Sequence, residues 1–140
     1  MSNQTIEERV GDSIDRSTAD VFLRSEFKHV GSYAQVGKAL NALVRDGRLV
    51  RVGYGVYVKA RPSTLSGRPV PRVHLEVIAA QAFDKLGVAW QLGRAAREYN
   101  EGSTQIPAHT VFDTGQRRIS RKLKVGAREV FYENAFTTSI

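Results

Sequence analysis

The stretch SYAQVGKALNALVRDGRLVRVGYGVYVKA, residues 32–60, decides the expected fold. Its first half repeats apolar residues at the spacing of one helical face, between a good N-cap, Ser32, and a helix-ending glycine, Gly47. The apolar residues are Val36, Ala39, Leu40, Leu43 and Val44. This pattern predicts an amphipathic helix that packs on one side only.

The second half of the stretch contains two short runs rich in valine and tyrosine, residues 49–52 and 55–58. They are joined through Gly53 and Tyr54, which predicts a β-hairpin with the tyrosine at its tip. We expect Gly53 to take the positive φ of the turn and Gly55 to accommodate a bulge.

The residues before this stretch predict two more helices. Residues 5–15 place three apolar side chains four apart, with Thr5 as the expected N-cap. A short apolar piece, residues 21–23, precedes an expected second helix at 24–29. Helix, helix, capped helix and hairpin are the order of a winged helix-turn-helix, a fold that binds DNA.

Prolines mark the end of this first region. Residues 61–73 hold three of the four prolines, together with serine, threonine and glycine, which predicts a linker. The later elements expected are a helix within 74–87, a buried strand at 88–92, a short helix at 94–100, a strand within 108–115, and a basic strand pair within 117–135.

These elements predict an α+β protein with two parts. The first part is a winged helix-turn-helix domain at residues 1–60, followed by the linker at 61–73. The second part is a small α/β domain at residues 74–140.

Composition excludes several classes of protein. The 140 residues include no cysteine, which excludes disulfides, thiol catalysis and sulfur-ligated zinc. No apolar run approaches the roughly 18 residues that a membrane helix needs. The start MSNQTIEERV lacks the basic end and apolar centre of a secretory signal. We therefore expect a cytoplasmic protein with no membrane partner.

The net charge is +7 and the isoelectric point is about 10.1. Residues 1–20 hold two basic and five acidic side chains, whereas residues 21–60 hold seven basic and two acidic ones. Because each neutralised phosphate releases counterions, this density of positive charge favours a polyanionic partner. An ordinary solvated surface is the alternative.

The polar face of the expected third helix and the hairpin beside it supply the candidate DNA contacts. Gln35 is suited to pair with adenine, and Lys38 with guanine or a phosphate. The Tyr54 hydroxyl is suited to bond a phosphate. The full set is Ser32, Tyr33, Gln35, Lys38, Asn41, Arg45, Arg48, Arg51 and Tyr54. The alternatives are a solvated or protein-binding helix face and a tyrosine that packs on its own hairpin.

A second basic cluster lies near the C-terminus, with no acidic residue between positions 116 and 128. Its members are Arg117, Arg118, Arg121, Lys122, Lys124 and Arg128. This cluster is expected to extend the DNA contact or to bind an acidic protein partner, and a solvated hairpin face is the alternative.

Signals for catalysis are weak, so we expect no enzyme, no catalytic residue, no metal and no cofactor. The three histidines, His29, His74 and His109, lack the spacing of metal ligands. Glu76, Asp113 and Glu129 are the acids that a magnesium-dependent nuclease would require, but they form no recognisable motif. A nuclease is the least favoured hypothesis.

Residues 33–60 resemble the start of the AbiEi-type antitoxins of type IV toxin–antitoxin systems, which have an alanine-leucine helix, a basic turn and a Gly-x-Gly-hydrophobic-Tyr hairpin. The matching residues are Ala39, Leu40, Leu43, Gly47, Arg51, Gly53, Gly55, Val56 and Tyr57. The segment STQIPAHTVFDTG, residues 103–115, and the basic strand pair after it are also similar to small members of this family. The chain departs from the family at residues 99–102, where relatives often have an apolar turn.

The resemblance implies a cytoplasmic repressor that binds inverted repeats in its own promoter through the recognition-helix and hairpin residues. A homodimer on DNA is the expected assembly. It also implies a C-terminal domain that counters a nucleotidyltransferase-type toxin. The alternative hypothesis is a protein-interaction module that neutralises a partner through its basic C-terminal domain without specific DNA binding.

Overall fold

The computed structural model describes residues 4–93, 110–115, 119, 121–126 and 128–133. The chain divides into two compact units, Met1–His74 and Leu75–Ile140. Among the described residues the fold is mixed α+β, with three α-helices and two sheets. Every helix in this part of the chain is too short or too polar to cross a bilayer.

The first unit contains two α-helices, α1 (Ile6–Arg16) and α2 (Tyr33–Arg45). The Thr5 side chain caps α1 by accepting a hydrogen bond from the Glu8 N–H at 3.1 Å, as the sequence predicts. Helix α2 begins after Ser32 and is followed by Gly47, which has a φ of 78°. Both predicted helices are therefore confirmed.

The second expected helix, at 24–29, is wrong in type: the chain forms only a 3₁₀ turn, Arg24–Phe27. Phe27 and Val30 are both buried and are linked by a backbone hydrogen bond of 3.0 Å. The 3₁₀ turn ends at the buried Phe27, as expected for a helix type whose poorer hydrogen bonds keep it short.

The sheet of the first unit is antiparallel and has four strands, β1 (Val21–Leu23), β2 (Leu49–Gly53), β3 (Val56–Pro62) and β4 (Pro69–Pro71). Strand β3 lies between β1 and β2, and its C-terminal half also pairs with β4. The hairpin of β2 and β3 is where the sequence predicts it.

The turn of this hairpin differs from the prediction. The positive φ, 66°, is found at Gly55, and Gly53 is the last residue of β2. The register shifts between Arg51 and Gly53, so the irregularity lies before the turn instead of after it. Either glycine can adopt the left-handed conformation, so the local sequence alone does not determine which one does.

The predicted linker, residues 61–73, contains structured chain. It includes the end of β3 and all of β4, which pair through Arg61↔Val70 and Pro62↔Pro69. Prolines are tolerated here because Pro69 and Pro71 are two residues apart on one strand, so both missing N–H groups point away from β3. The first unit therefore includes the segment that the sequence assigns to a linker.

The core of the first unit lies where α1, the 3₁₀ turn, α2 and the sheet meet. Its buried residues are Val10, Ile14, Phe22, Phe27, Val30, Val36, Ala39, Leu40, Leu43, Leu49 and Tyr57. The apolar stripe of α2 contributes four of them, which fixes the rotation of the helix and turns its polar side outward.

The second unit contains α3 (Leu75–Leu86) and the strands β5 (Gln91–Leu92), β6 (Thr110–Asp113), β7 (Lys124–Val125) and β8 (Arg128–Glu133). The strand order is β5-β6-β8-β7, and β6 and β8 are parallel. Phe83 of α3 packs edge-on against Phe112 of β6, with ring centroids 5.3 Å apart. The helix expected at 94–100 lies outside the described residues.

Candidate nucleic-acid interface

Helix α2 presents a polar stripe on the side opposite its buried stripe. Lys38, Asn41 and Arg45 are three and four residues apart, so they lie on one face, and all three are exposed. The Asn41 amide makes no hydrogen bond with any described residue, which leaves both its donor and its acceptor available. No acidic residue lies in the first turn of the helix. This stripe has the position and chemistry that the sequence predicts.

The N-terminus of α2 is fixed by a reciprocal cap. The Ser32 Oγ accepts a hydrogen bond from the Gln35 N–H at 3.1 Å, and the Gln35 Oε1 accepts one from the Ser32 N–H at 3.0 Å. Both residues are exposed, but the carbonyl oxygen that Gln35 would offer to adenine is already bonded. The primary role of this pair is therefore to start the helix.

The hydroxyl groups of Tyr33 and Tyr54 join the start of α2 to the tip of the β2–β3 hairpin. Their oxygens are 2.8 Å apart, although the residues are 21 positions apart in sequence. Both side chains are exposed, Tyr33 at 56% and Tyr54 at 67%. The hydrogen bond with Tyr54 raises the pKa of Tyr33. Helix and hairpin tip thus belong to one continuous surface.

Arg24 is a residue of this surface that the sequence analysis did not identify. Its backbone N–H donates to the Gly55 carbonyl at 2.9 Å, and its guanidinium donates to the Tyr33 carbonyl at 2.5 and 3.1 Å. The guanidinium also lies over the Tyr33 ring, 3.4 Å from its centroid. A Cβ at Gly37 would collide with this guanidinium. An isolated glycine inside a helix signals such a close approach.

Arg51 lies beside the hairpin tip and is exposed. Its Nε donates to the Gly53 carbonyl at 3.3 Å, and its guanidinium carbon is 5.9 Å from the centre of the Tyr54 ring. Arg24 and Arg51 therefore place two positive charges near the two exposed tyrosines.

Arg48 is exposed but lies elsewhere, at the opposite end of β2 from the hairpin tip. Its Nη2 donates to both carboxylate oxygens of Asp15, at 2.8 and 2.9 Å, and the guanidinium lies against Gly11 of α1. The structure does not bring this residue together with Tyr54.

The sequence matches a family of unknown function, DUF6088, over residues 6–139. The chain belongs to the DUF6088 family. No curated protein and no solved structure matches it.

In the second unit of this DUF6088 protein, the predicted basic cluster is only partly described. Lys122 and Lys124 are exposed. The Arg121 carbonyl accepts a hydrogen bond from the Tyr132 hydroxyl at 2.5 Å. Arg117 and Arg118 lie outside the described residues. Lys124 is on the short strand β7, and Lys122 lies two residues before it.

Arg128, the last member of the predicted cluster, is bonded within the second unit. Its Nη2 donates to the Glu76 Oε1 at 2.6 Å and to the Thr110 Oγ1 at 2.8 Å. Burial raises the pKa of Glu76, but hydrogen bonds from its own backbone N–H, Thr110 and Arg128 outweigh this and hold that pKa below the usual value. Within the described residues no group of three acids or histidines is arranged to hold a metal ion.

Proposed function

We propose that the first unit is a winged helix-turn-helix that binds double-stranded DNA. Helix α2 is the recognition helix, and the β2–β3 hairpin is the wing. The proposal is supported by the element order, in which a helix, a strand and a short turn precede α2 and a hairpin follows it. It is also supported by the exposed polar stripe of α2, because an α-helix fits into the major groove of DNA.

The observation that carries the proposal is the 2.8 Å contact between the Tyr33 and Tyr54 hydroxyls. It joins the N-terminus of α2 to the hairpin tip, so both elements face the same side of the unit. One duplex can therefore take α2 in its major groove while the hairpin contacts the adjacent backbone.

Each exposed residue has a role in this proposal. Asn41 reads a base edge, because the oxygen and the nitrogen of its amide group can both hydrogen-bond to adenine. Lys38, Arg45 and Arg51 bond phosphates, which fixes the register of the protein on the duplex. Tyr54 bonds a phosphate beside the hairpin. The bonded cap of Ser32 and Gln35 favours Asn41 over Gln35 as the residue that distinguishes bases.

The regulatory part of the proposal rests on the sequence resemblance. The protein represses its own gene by binding an inverted repeat as a homodimer, and it is the antitoxin of a type IV toxin–antitoxin pair. Its second unit counters a nucleotidyltransferase-type toxin. The exposed Lys122 and Lys124 favour an acidic surface as the partner of that unit.

The test is a fluorescence anisotropy titration of labelled DNA from upstream of its own gene, with scrambled DNA as the reference. We expect Asn41→Ala to lower the preference for the specific sequence by about 1–3 kcal/mol. Lys38→Gln should weaken binding to all sequences and reduce the slope of log affinity against log salt by about one.

The control is Arg9→Gln, which removes one positive charge from the exposed surface of α1. Equal losses of DNA affinity in Lys38→Gln and Arg9→Gln would show that binding depends only on total charge. This result would contradict the assignment of α2 as the recognition helix. Co-purification with the product of the neighbouring gene, without DNA affinity, would support the protein-interaction module instead.

A further inference from the structure

The first unit contains a cavity of about 440 Å³ next to the C-terminal end of α2. Three basic side chains line it, Arg48, Lys59 and Arg72, and Ile14, Leu43 and Leu49 supply apolar lining. This volume lies within the range of small-molecule sites.

The backbone holds the three basic residues next to one another. The Arg72 N–H donates to the Lys59 carbonyl at 2.9 Å, and the Ala60 N–H donates to the Arg48 carbonyl at 3.1 Å. Like charges held close together repel, and Asp15 and Asp20 compensate only part of this repulsion, because three basic side chains face two carboxylates. One positive charge of the cluster is therefore left for an anion.

The partners of these cations leave room for an incoming anion. Arg48 pairs with Asp15, whose side chain is 63% exposed, and exposed ion pairs of this kind contribute little to stability. Arg72 pairs with Asp20 at 2.5 Å through its Nε. Lys59 donates one hydrogen bond, to the Ser17 carbonyl at 2.6 Å, and an ammonium group carries three donors.

We propose that this cavity binds a small organic anion. Lys59 and Arg72 bond its carboxylate or phosphate group. Arg48 releases Asp15 and pairs with the ligand instead, which adds a third positive charge. This site is separate from the proposed DNA-binding surface, and its occupation requires no nucleic acid.

Isothermal titration calorimetry of the full-length protein, without DNA, tests the proposal with three probes that share an aromatic ring. They are phenyl phosphate, benzoate and the neutral benzyl alcohol. We expect saturable binding of at least one anion at one site per chain and none of benzyl alcohol. Binding of phenyl phosphate alone identifies a phosphate ligand, and binding of benzoate alone identifies a carboxylate. Binding of neither anion, or equal binding of the alcohol, would overturn the proposal.

Variants locate the site. Lys59→Gln and Arg72→Gln should each weaken anion binding roughly tenfold or more, because each removes a charge-assisted hydrogen bond. Arg61→Gln is the matched control, since Arg61 is exposed on the same strand but does not line the cavity, and it should bind normally. If Arg72→Gln fails a circular dichroism check, Lys59→Gln decides. A similar loss in Arg61→Gln would mean that the anion binds by net charge and not in the cavity.

Discussion

Arg24 connects three parts of the first unit through a single residue. Its backbone bonds the hairpin turn, its guanidinium bonds the start of α2, and the same guanidinium lies in the space that a side chain at Gly37 would occupy. Glycine costs a helix stability relative to alanine, so its presence in the middle of α2 requires a reason. The close approach of Arg24 is that reason.

Gly37→Ala should therefore have different effects in two backgrounds. With Arg24→Ala present, the new methyl group meets no guanidinium, and we expect a gain of about 1 kcal/mol in the free energy of unfolding from helix propensity. In the wild-type background the methyl displaces the guanidinium from Tyr33, so the gain should be smaller or absent. Urea unfolding of the four proteins in this double-mutant cycle measures the difference.

Equal effects of Gly37→Ala in both backgrounds would mean that Arg24 does not occupy this position in solution. Gly67→Ala is not a suitable control, because Gly67 has a φ of 71° and alanine would be strained there. Ala42→Gly is a better one: Ala42 lies within α2, five residues after Gly37 and therefore about 140° away around the helix. It should cost about 1 kcal/mol in either background.

Tyr132 is expected to make the second unit sensitive to alkaline pH. Burial raises its pKa from 10.0 to about 12, because the neutral hydroxyl is favoured in the folded chain. The stabilisation is complete below the ordinary pKa and is lost as pH rises through the higher, folded-state pKa. Tyrosinate absorbance can be followed in a pH titration of wild type and of Tyr132→Phe. The difference between the two curves is the ionisation of Tyr132, and it should be centred near pH 12. A difference signal centred at the ordinary value would contradict this.

At the scale of elements, the long periodic helices and the β2–β3 hairpin were predictable, whereas the 3₁₀ turn and β4 were not. The stripe of α2 and its two end signals determine a helix over many residues, so its bounds agree with the sequence. The 3₁₀ turn at Arg24–Phe27 is too short for periodicity to distinguish it from an α-helix. Strand β4 was not predicted because its prolines usually indicate a loop, and only the pairing with β3 shows that they lie on an open edge.

The candidate site was predictable to a similar extent. Lys38, Asn41 and Arg45 follow from the helical pattern, and the structure places them on one exposed face. The partners of Arg48 and Gln35 depend on contacts that spacing does not reveal: Asp15 is distant in sequence, and the Gln35 side chain folds back onto Ser32. The stacking of Arg24 on Tyr33 likewise depends on tertiary structure.

The reciprocal cap of α2 leads to a prediction about stability. Ser32→Ala removes the acceptor for the Gln35 N–H and should lower the free energy of unfolding by about 1 kcal/mol. Gln35→Ala removes the other bond, and the double variant should lose less than the sum, because the two bonds support each other. Denaturant unfolding measures all three. Thr18→Ala, at an exposed loop position, should change stability by less than about 0.5 kcal/mol.

At the scale of the whole molecule, the first unit has the parts of an independent domain. Strands β1 to β4 pair only with one another in the described structure, and every residue of its core cluster lies before His74. Domains of this length fold alone when they bury an apolar core of their own. Asn41, which is proposed to read a base, and all the residues proposed to bond phosphates lie in this unit.

A chain that ends after His74 should therefore fold and bind DNA. We expect a single cooperative unfolding transition and retention of the preference for the upstream sequence over scrambled DNA, because Asn41 and the α2 stripe are present. Circular dichroism during heating and anisotropy titrations measure the two properties. Loss of the preference in a folded fragment would show that base recognition requires the second unit.

Salt dependence of the same fragment decides whether the second unit touches DNA. If Lys122 and Lys124 each neutralise a phosphate, the slope of log affinity against log salt should be about two units steeper for the full chain than for the fragment. We expect equal slopes, since the exposed Lys122 and Lys124 fit the proposed acidic protein partner. A full-length Lys122→Gln, Lys124→Gln variant with the affinity and slope of wild type would agree with that assignment, and a weaker slope in this variant would place both lysines on the duplex.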